Sequence, residues 1–311
     1  MTWAYILGAI GALILLFMAV AAFVSYRLAF YSDRTKEPSS FKYLEGEEEW
    51  KKETRESAER LRAIEYEDLY ITSRDGLRLH GYFKRGKEGA PLAVMCHGYR
   101  SSPFIDFSGG GLIALEKQFN VLLIDQRAHG MSEGKAITFG IRERYDVLDW
   151  VLFMKETYGF EKIILYGVSM GAATVVMAGG LALPPEVVGI FADCPFSAPY
   201  EIISKVTRDM KLPAWLFYLP TLIGARLFAG FKLCEASAEE AIKRCTLPVL
   251  LVHGDSDGYV PHYMSERIFA AREENTTFLT FAGADHAMSY ITDKERYKKA
   301  ILEFENKILE R

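Results

Sequence analysis

Apolar positions fall along this chain in three regimes, and each predicts a different kind of element. Residues 3–26, from Trp3 to Tyr26, carry no charged side chain. About twenty such residues are enough for a helix to cross the hydrocarbon core of a bilayer. Residues 32–64 reverse that character, being rich in Glu, Lys and Arg. Within them, Glu47 to Ile64 places Trp50, Ala58, Leu61 and Ile64 near one helical face. A stalk or a packing helix with solvated charges is expected there. From Tyr66 onward, short apolar runs alternate with segments of helical period.

The alternation is specific enough to predict a fold class. Asp68 to Thr72 and Leu77 to Phe83 flank Arg74-Asp75-Gly76 and read as a β-hairpin. Pro91 to Cys96, Val121 to Ile124, Ile163 to Gly167, Val187 to Phe191, Val249 to His253 and Thr277 to Phe281 read as further strands. Helical sequence separates them, including Phe104 to Glu116 and Glu143 to Tyr158, the latter with apolar residues at 147, 148, 151 and 152. Continuous apolar strands alternating with helices predict a mostly parallel sheet covered on both faces, an α/β fold.

One segment breaks the rhythm. Residues 198–247 separate two strands that a short crossover would normally join. Pro213, Pro220, two glycines and Arg226 make this stretch a poor second membrane span and favour a small helical cap. Its aromatic residues fit two roles, filling the space between cap and sheet or lining a substrate pocket.

Composition refines the outline. A chain of 311 residues, half apolar and a quarter charged, suits one large α/β domain over residues 65–311. A transmembrane anchor (3–26) and a charged juxtamembrane segment (27–64) precede it. The apolar run is too long for a signal peptide, and Met1-Thr2 supplies no basic start. Arg27, Arg34 and Lys36 follow the span and no Lys or Arg precedes it, which predicts a body in the cytoplasm, with an extracellular body as the alternative. A net charge of -4 gives no electrostatic basis for binding nucleic acid. The four cysteines, Cys96, Cys194, Cys234 and Cys245, show no Cys-x-x-Cys and no His/Cys pairing at metal-ligand spacing, and nothing in them calls for an oxidising compartment. No metal or organic cofactor is implied, and the oligomeric state is open.

Candidate chemistry centres on Gly167-Val168-Ser169-Met170-Gly171, set between a strand and a small-residue helix. A serine in this strand-turn-helix setting is held clear of the sheet as a nucleophile elbow. Ligands of open α/β sheets bind beyond the carboxyl ends of the strands, so partners belong just after each strand. Asp255, Ser256 and Asp257 follow the strand at 249–253, and Asp285-His286 follows the last strand. The order Ser169, Asp257, His286 is that of a hydrolase triad on such an elbow. Asp255 and Asp193 remain alternative acids. His97, His129 and His253 precede glycines at strand ends and read as braces for tight turns. Two backbone amides should form an oxyanion hole, Met170 after the nucleophile and Tyr99 in the loop after His97-Gly98. Gly109-Gly110-Gly111 reads as a close approach of helix to sheet.

The set His97-Gly98-Tyr99, Asp125 to Gly134, Gly167 to Gly171, His253 to Asp257 and Gly283 to His286 resembles the α/β-hydrolase superfamily. Ala192 to Phe196 and His286 to Tyr290 are similar to its membrane-anchored bacterial serine aminopeptidase-like branch. Ala128 departs from the glycine many relatives carry, which should affect loop shape. The resemblance implies a serine hydrolase acting through an acyl-enzyme on a small-molecule or lipid-like acyl substrate. The apolar cap favours an ester or thioester. An aminopeptidase or amidase with the same triad, or a silent binding scaffold, are the rival expectations.

Overall fold

A computed structural model describes residues 2–33, 44–211 and 213–310. Its centre is an eight-stranded sheet of β1 (Glu67–Thr72), β2 (Arg78–Lys84), β3 (Leu92–Cys96), β4 (Asn120–Asp125), β5 (Ile163–Val168), β6 (Val187–Asp193), β7 (Val249–Gly254) and β8 (Thr276–Phe281). The strand order is β1-β2-β4-β3-β5-β6-β7-β8. β2 pairs antiparallel with both β1 and β4, while every pairing from β4 to β8 is parallel. β3, β4, β5 and β7 are buried along their whole length, which is why they read as unbroken apolar runs.

The longer helices are α1 (Thr2–Ser25), α2 (Glu49–Arg62), α3 (Glu143–Tyr158), α4 (Met170–Gly179), α5 (Pro199–Asp209), α6 (Ala214–Leu227), α7 (Tyr263–Ala271) and α8 (Lys294–Leu309). Two apolar cores fill the two faces of the sheet. Trp150 and Met154 of α3 and Val175 and Val176 of α4 lie in one core. Tyr297, Ile301 and Phe304 of α8 lie in the other, with Leu61 of α2. The expected helix over 104–116 is two shorter pieces, Pro103–Asp106 and Gly110–Glu116.

The amino-terminal segment is one helix long and apolar enough to span a membrane, Thr2–Phe30, whose last turn, Tyr26–Phe30, is π-helical. Most of its side chains are exposed, and only its carboxyl end packs on the body. There Phe30 is fully buried against Phe139 and Phe231, with ring centroids 5.9 and 5.3 Å away. Helix α6 lies beside α1 at an approach that Gly224 permits, since a Cβ there would stand 2.5 Å from the Ala22 carbonyl oxygen. Phe228 packs on Phe23 and Tyr26 at 5.5 and 5.6 Å. Part of the juxtamembrane segment, including Arg34 and Lys36, lies outside the described residues, as does Leu212 in the 198–247 stretch. Helix α2 buries Ser57, Ala58 and Leu61. It is therefore a packing helix rather than a free stalk.

Candidate active site

Backbone geometry at the end of β5 places Ser169. Its φ of 55° and ψ of -115° are costly for a residue with a Cβ, and such strain persists only where surroundings enforce it. They do so through glycine. A Cβ on Gly171 would lie 1.8 Å from the Cys96 carbonyl oxygen, and one on Gly167 would lie 2.3 Å from that of Gly171. Helix α4 thus begins pressed onto the end of β3, a contact that any side chain would block. The Ser169 amide donates to the Asp193 carbonyl at 2.8 Å, which fixes the turn to β6.

The partners arrive from the next two strand ends. Ser169 Oγ lies 2.9 Å from His286 Nε2, and His286 Nδ1 lies 2.7 Å from Asp257 Oδ2. An ionised carboxylate only accepts, so Nδ1 carries the proton and Nε2 is left to accept from the serine hydroxyl. The Asp257 carboxylate is buried and fully engaged. Its Oδ1 accepts from the amides of Tyr259 and Val260 at 2.9 and 2.7 Å. Its Oδ2 also receives His253 Nε2–H at 3.1 Å. Burial alone would raise this carboxyl, but the hydrogen bonds from His253 and His286 prevail and hold it below the usual carboxylate range.

The alternative acids are occupied elsewhere. Asp255 accepts from the Gly283 amide and the Ser256 hydroxyl at 2.7 and 3.1 Å, joining the β7 and β8 loops. Asp193 receives the Tyr297 hydroxyl at 2.9 Å and Ser289 at 3.3 Å, and burial pushes its carboxyl up to about 6. Neither has a hydrogen bond to His286 among the described residues.

The loop after β3 is built around a residue the sequence reading passed over. Asp106 accepts from the Gly98 amide at 2.5 Å and from the Ser101 hydroxyl at 2.6 Å, and burial raises its carboxyl to about 6. It is the one acid in the apolar stretch from Gly98 to Leu115, and that isolation was the available signal. Gly98 sits directly on Ser169, where an added Cβ would stand 3.3 Å from the serine Cβ. With the Gly98 amide committed to Asp106, the next amide is that of Tyr99. Neither the Tyr99 nor the Met170 amide donates to another described group. Two such donors beside a nucleophile can stabilise a developing oxyanion.

The three bracing histidines have the geometry of structural groups. His97 Nδ1–H donates to the Gly98 carbonyl at 2.8 Å, and its Nε2 accepts from the Gln126 amide at 3.1 Å. Burial, with His129 beside it, drives the His97 imidazole well below its ordinary value, so it stays neutral. His129 accepts from the Arg100 amide at 3.0 Å and donates to the Arg127 carbonyl at 2.9 Å. His253 does more than brace a turn, since it shares Asp257 with His286. Ala128 has a φ of 62°, a left-handed position where glycine costs less. The glycine run departs from expectation. A Cβ on Gly109 would meet the Tyr290 ring at 2.6 Å, and one on Gly111 would meet Phe107 at 3.1 Å, so these residues admit side chains rather than the sheet.

Ser169 opens into a cavity of about 630 Å³. Its walls include Tyr99, Tyr259, Ile105 and Tyr290, together with Leu44 and Trp50 from the amino-terminal side. No described residue of 198–247 lines it. The cap aromatics therefore divide: Phe231 is core, and Phe217 borders a second, smaller cavity. Asp106, Asp193 and Asp285 also border the main cavity; of these the sequence suggested only Asp193, as an alternative acid. Asp106 and Asp193 are committed to their own surroundings, while the exposed Asp285 accepts from the amides of Gly258 and His286 at 3.0 and 2.7 Å through Oδ1 alone. Cys194, Asp257 and His286 bring potential ligand atoms within 4.8 Å of one another. They do not fit a metal, because Asp257 already accepts four hydrogen bonds and His286 Nδ1 directs its proton at that carboxylate.

Comparison with known proteins follows the geometry. Residues 91–220 match the family model described as the alpha/beta hydrolase fold. The uncharacterized protein YqkD of Bacillus subtilis is 27% identical over 301 residues, covering 96% of each chain. A bifunctional esterase/perhydrolase of Acinetobacter calcoaceticus is 24% identical, covering 76% of this chain and 98% of its own. Among solved structures, an esterase of Pyrococcus furiosus superposes with a TM-score of 0.65 at 23% identity, over 80% of this chain and 93% of the other. Strand order, elbow and the match over residues 91–220 agree, and the chain has the α/β-hydrolase fold.

Proposed function

We propose that this hydrolase is a membrane-anchored serine hydrolase that cleaves a carboxylic ester or thioester through an acyl-enzyme. The observation that carries the reading is the contact of Ser169 Oγ with His286 Nε2 at 2.9 Å, with Asp257 on the other imidazole nitrogen at 2.7 Å. Ser169 attacks the substrate carbonyl carbon while His286 takes its proton. The carbonyl oxygen becomes an oxyanion held by the amides of Tyr99 and Met170. Collapse breaks the bond to the alcohol or thiol, which leaves with the proton from His286. Water then attacks the acyl-enzyme, gives a proton to His286 and releases the acid, and Ser169 recovers that proton.

Two observations favour an ester or thioester over an aminoacyl amide. Asp106 and Asp193, two of the three carboxylates bordering the cavity, are tied to their own loops, which leaves only the exposed Asp285 to meet a substrate ammonium. The Acinetobacter relative is itself named an esterase. The apolar helix Thr2–Phe30 serves as a single-pass anchor, and Arg27 at its end is consistent with a catalytic body on the cytoplasmic side. The test is turnover of p-nitrophenyl butyrate by the full chain. Ser169→Ala should reduce kcat about 10⁴-fold or more, and His286→Ala similarly. Turnover that survives Ser169→Ala contradicts the reading.

A further inference from the structure

A second cavity, of about 130 Å³, lies between the end of the apolar helix and the helices of the 198–247 segment. Val24, Ser25, Leu28 and Ala29 form one wall, and Ile203 and Val206 of α5, Met210 just after it and Phe217 of α6 form another. Tyr99 and Tyr259 line both this cavity and the one holding Ser169. The two spaces are therefore neighbours across a pair of tyrosine rings, one belonging to the residue that offers the oxyanion amide. The Tyr259 ring also stands 5.1 Å from that of His286.

We propose that this second cavity receives the alkyl chain of a long-chain ester or thioester drawn from the bilayer, which reaches Ser169 between Tyr99 and Tyr259. The inference rests on the hydrolase reading above and names its substrate class and route of entry. Three features point to a chain arriving from lipid. The outer wall is the lower end of the very helix that is apolar enough to sit in a membrane. Helix α6 beside it exposes Tyr218, Leu219 and Leu227, with Phe228 at its end packed on Phe23 of α1, and Met210 is exposed at the end of α5. The end of the apolar helix is also fixed to the catalytic loop. Tyr99 Oη–H donates to the Ala29 carbonyl at 2.9 Å, and the Arg100 guanidinium donates to the carbonyls of Leu28 and Tyr31 at 2.9 and 3.0 Å. A helix held by lipid thus sets one side of the passage at a constant distance from the nucleophile. Beyond Ser169, the wall of Trp50, Ile105 and Tyr290 gives room for the remainder of the substrate.

The experiment uses the full chain in phosphatidylcholine vesicles, with p-nitrophenyl butyrate and p-nitrophenyl myristate as probes. The myristate is placed either in the same vesicles as the protein or in a separate population. The wild type should hydrolyse it from its own bilayer at least about tenfold faster than from separate vesicles. Val206→Trp, which fills the cavity, should lower the myristate-to-butyrate ratio of kcat/KM about tenfold or more. Phe217→Ala, which enlarges it, should raise that ratio and keeps the test decisive should Val206→Trp fail to fold. Equal turnover from the two vesicle populations, or ratios unmoved by both variants, overturns the proposal while leaving the hydrolase reading intact. Loss of activity on both esters in the wild type, or activity retained in Ser169→Ala, strikes at the hydrolase reading instead.

Discussion

Two regions meet at Ser169, and they are built on opposite plans. On one side, the loops after β5, β7 and β8 deliver serine, carboxylate and imidazole within a few residues of each strand end. On the other, residues 44–54, far away in the chain, wall the cavity at Ser169, and residues 24–29 wall its neighbour across Tyr99. The first region is fixed by backbone, with glycines admitting contacts that no side chain could share. The second is held by side chains, including Tyr99 and Arg100, which donate to the carbonyls of Leu28, Ala29 and Tyr31. The candidate chemistry therefore sits on the sheet, whereas the amino-terminal helices wall the cavity beside it and, with the stretch 198–247, the second cavity to which we assign the alkyl chain.

Substitutions in the two regions should differ in kind as well as size. The largest effect short of removing the nucleophile is expected on the sheet side. Asp257→Asn keeps the size of the side chain but no longer holds His286 in the tautomer that accepts from Ser169. Its kcat on p-nitrophenyl butyrate should fall about 10²- to 10⁴-fold with little change in KM. A fall below tenfold would mean that the carboxylate does not orient the imidazole. On the amino-terminal side, Trp50→Ala removes an apolar wall without touching the triad. Its KM for a long-chain ester should rise about three- to tenfold, and kcat should change much less. A kcat loss comparable to that of Asp257→Asn would erase the distinction between the two regions.

The same division explains what could be read from the chain alone. Each predicted strand is present, and Glu143–Tyr158 is a helix over the residues its periodicity indicated. Strands buried on both faces and an amphipathic helix leave their pattern within a few turns of sequence. The serine, acid and histidine were legible because sheet topology puts strand ends together, whatever lies between them. Asp106 was harder to find. It acts through the Gly98 amide eight positions earlier, from a short helical turn rather than a strand end. The role of Trp50 was hidden for another reason. A tryptophan on the apolar face of a helix gives the same pattern whether it packs in a core or walls a cavity. The 198–247 segment showed its helical character in sequence, but no local pattern could place α6 against α1. That packing depends on one glycine, Gly224, meeting the Ala22 carbonyl across the fold.

The central claim is that Ser169 is an activated nucleophile. Its most direct test is covalent labelling of the full-length protein with a fluorophosphonate, followed by mass spectrometry of the modified peptide. A single adduct on Ser169, absent in Ser169→Ala and formed far more slowly in His286→Ala, is the predicted result. An unlabelled Ser169 in the folded wild type, or an adduct on another residue that persists in Ser169→Ala, would contradict it.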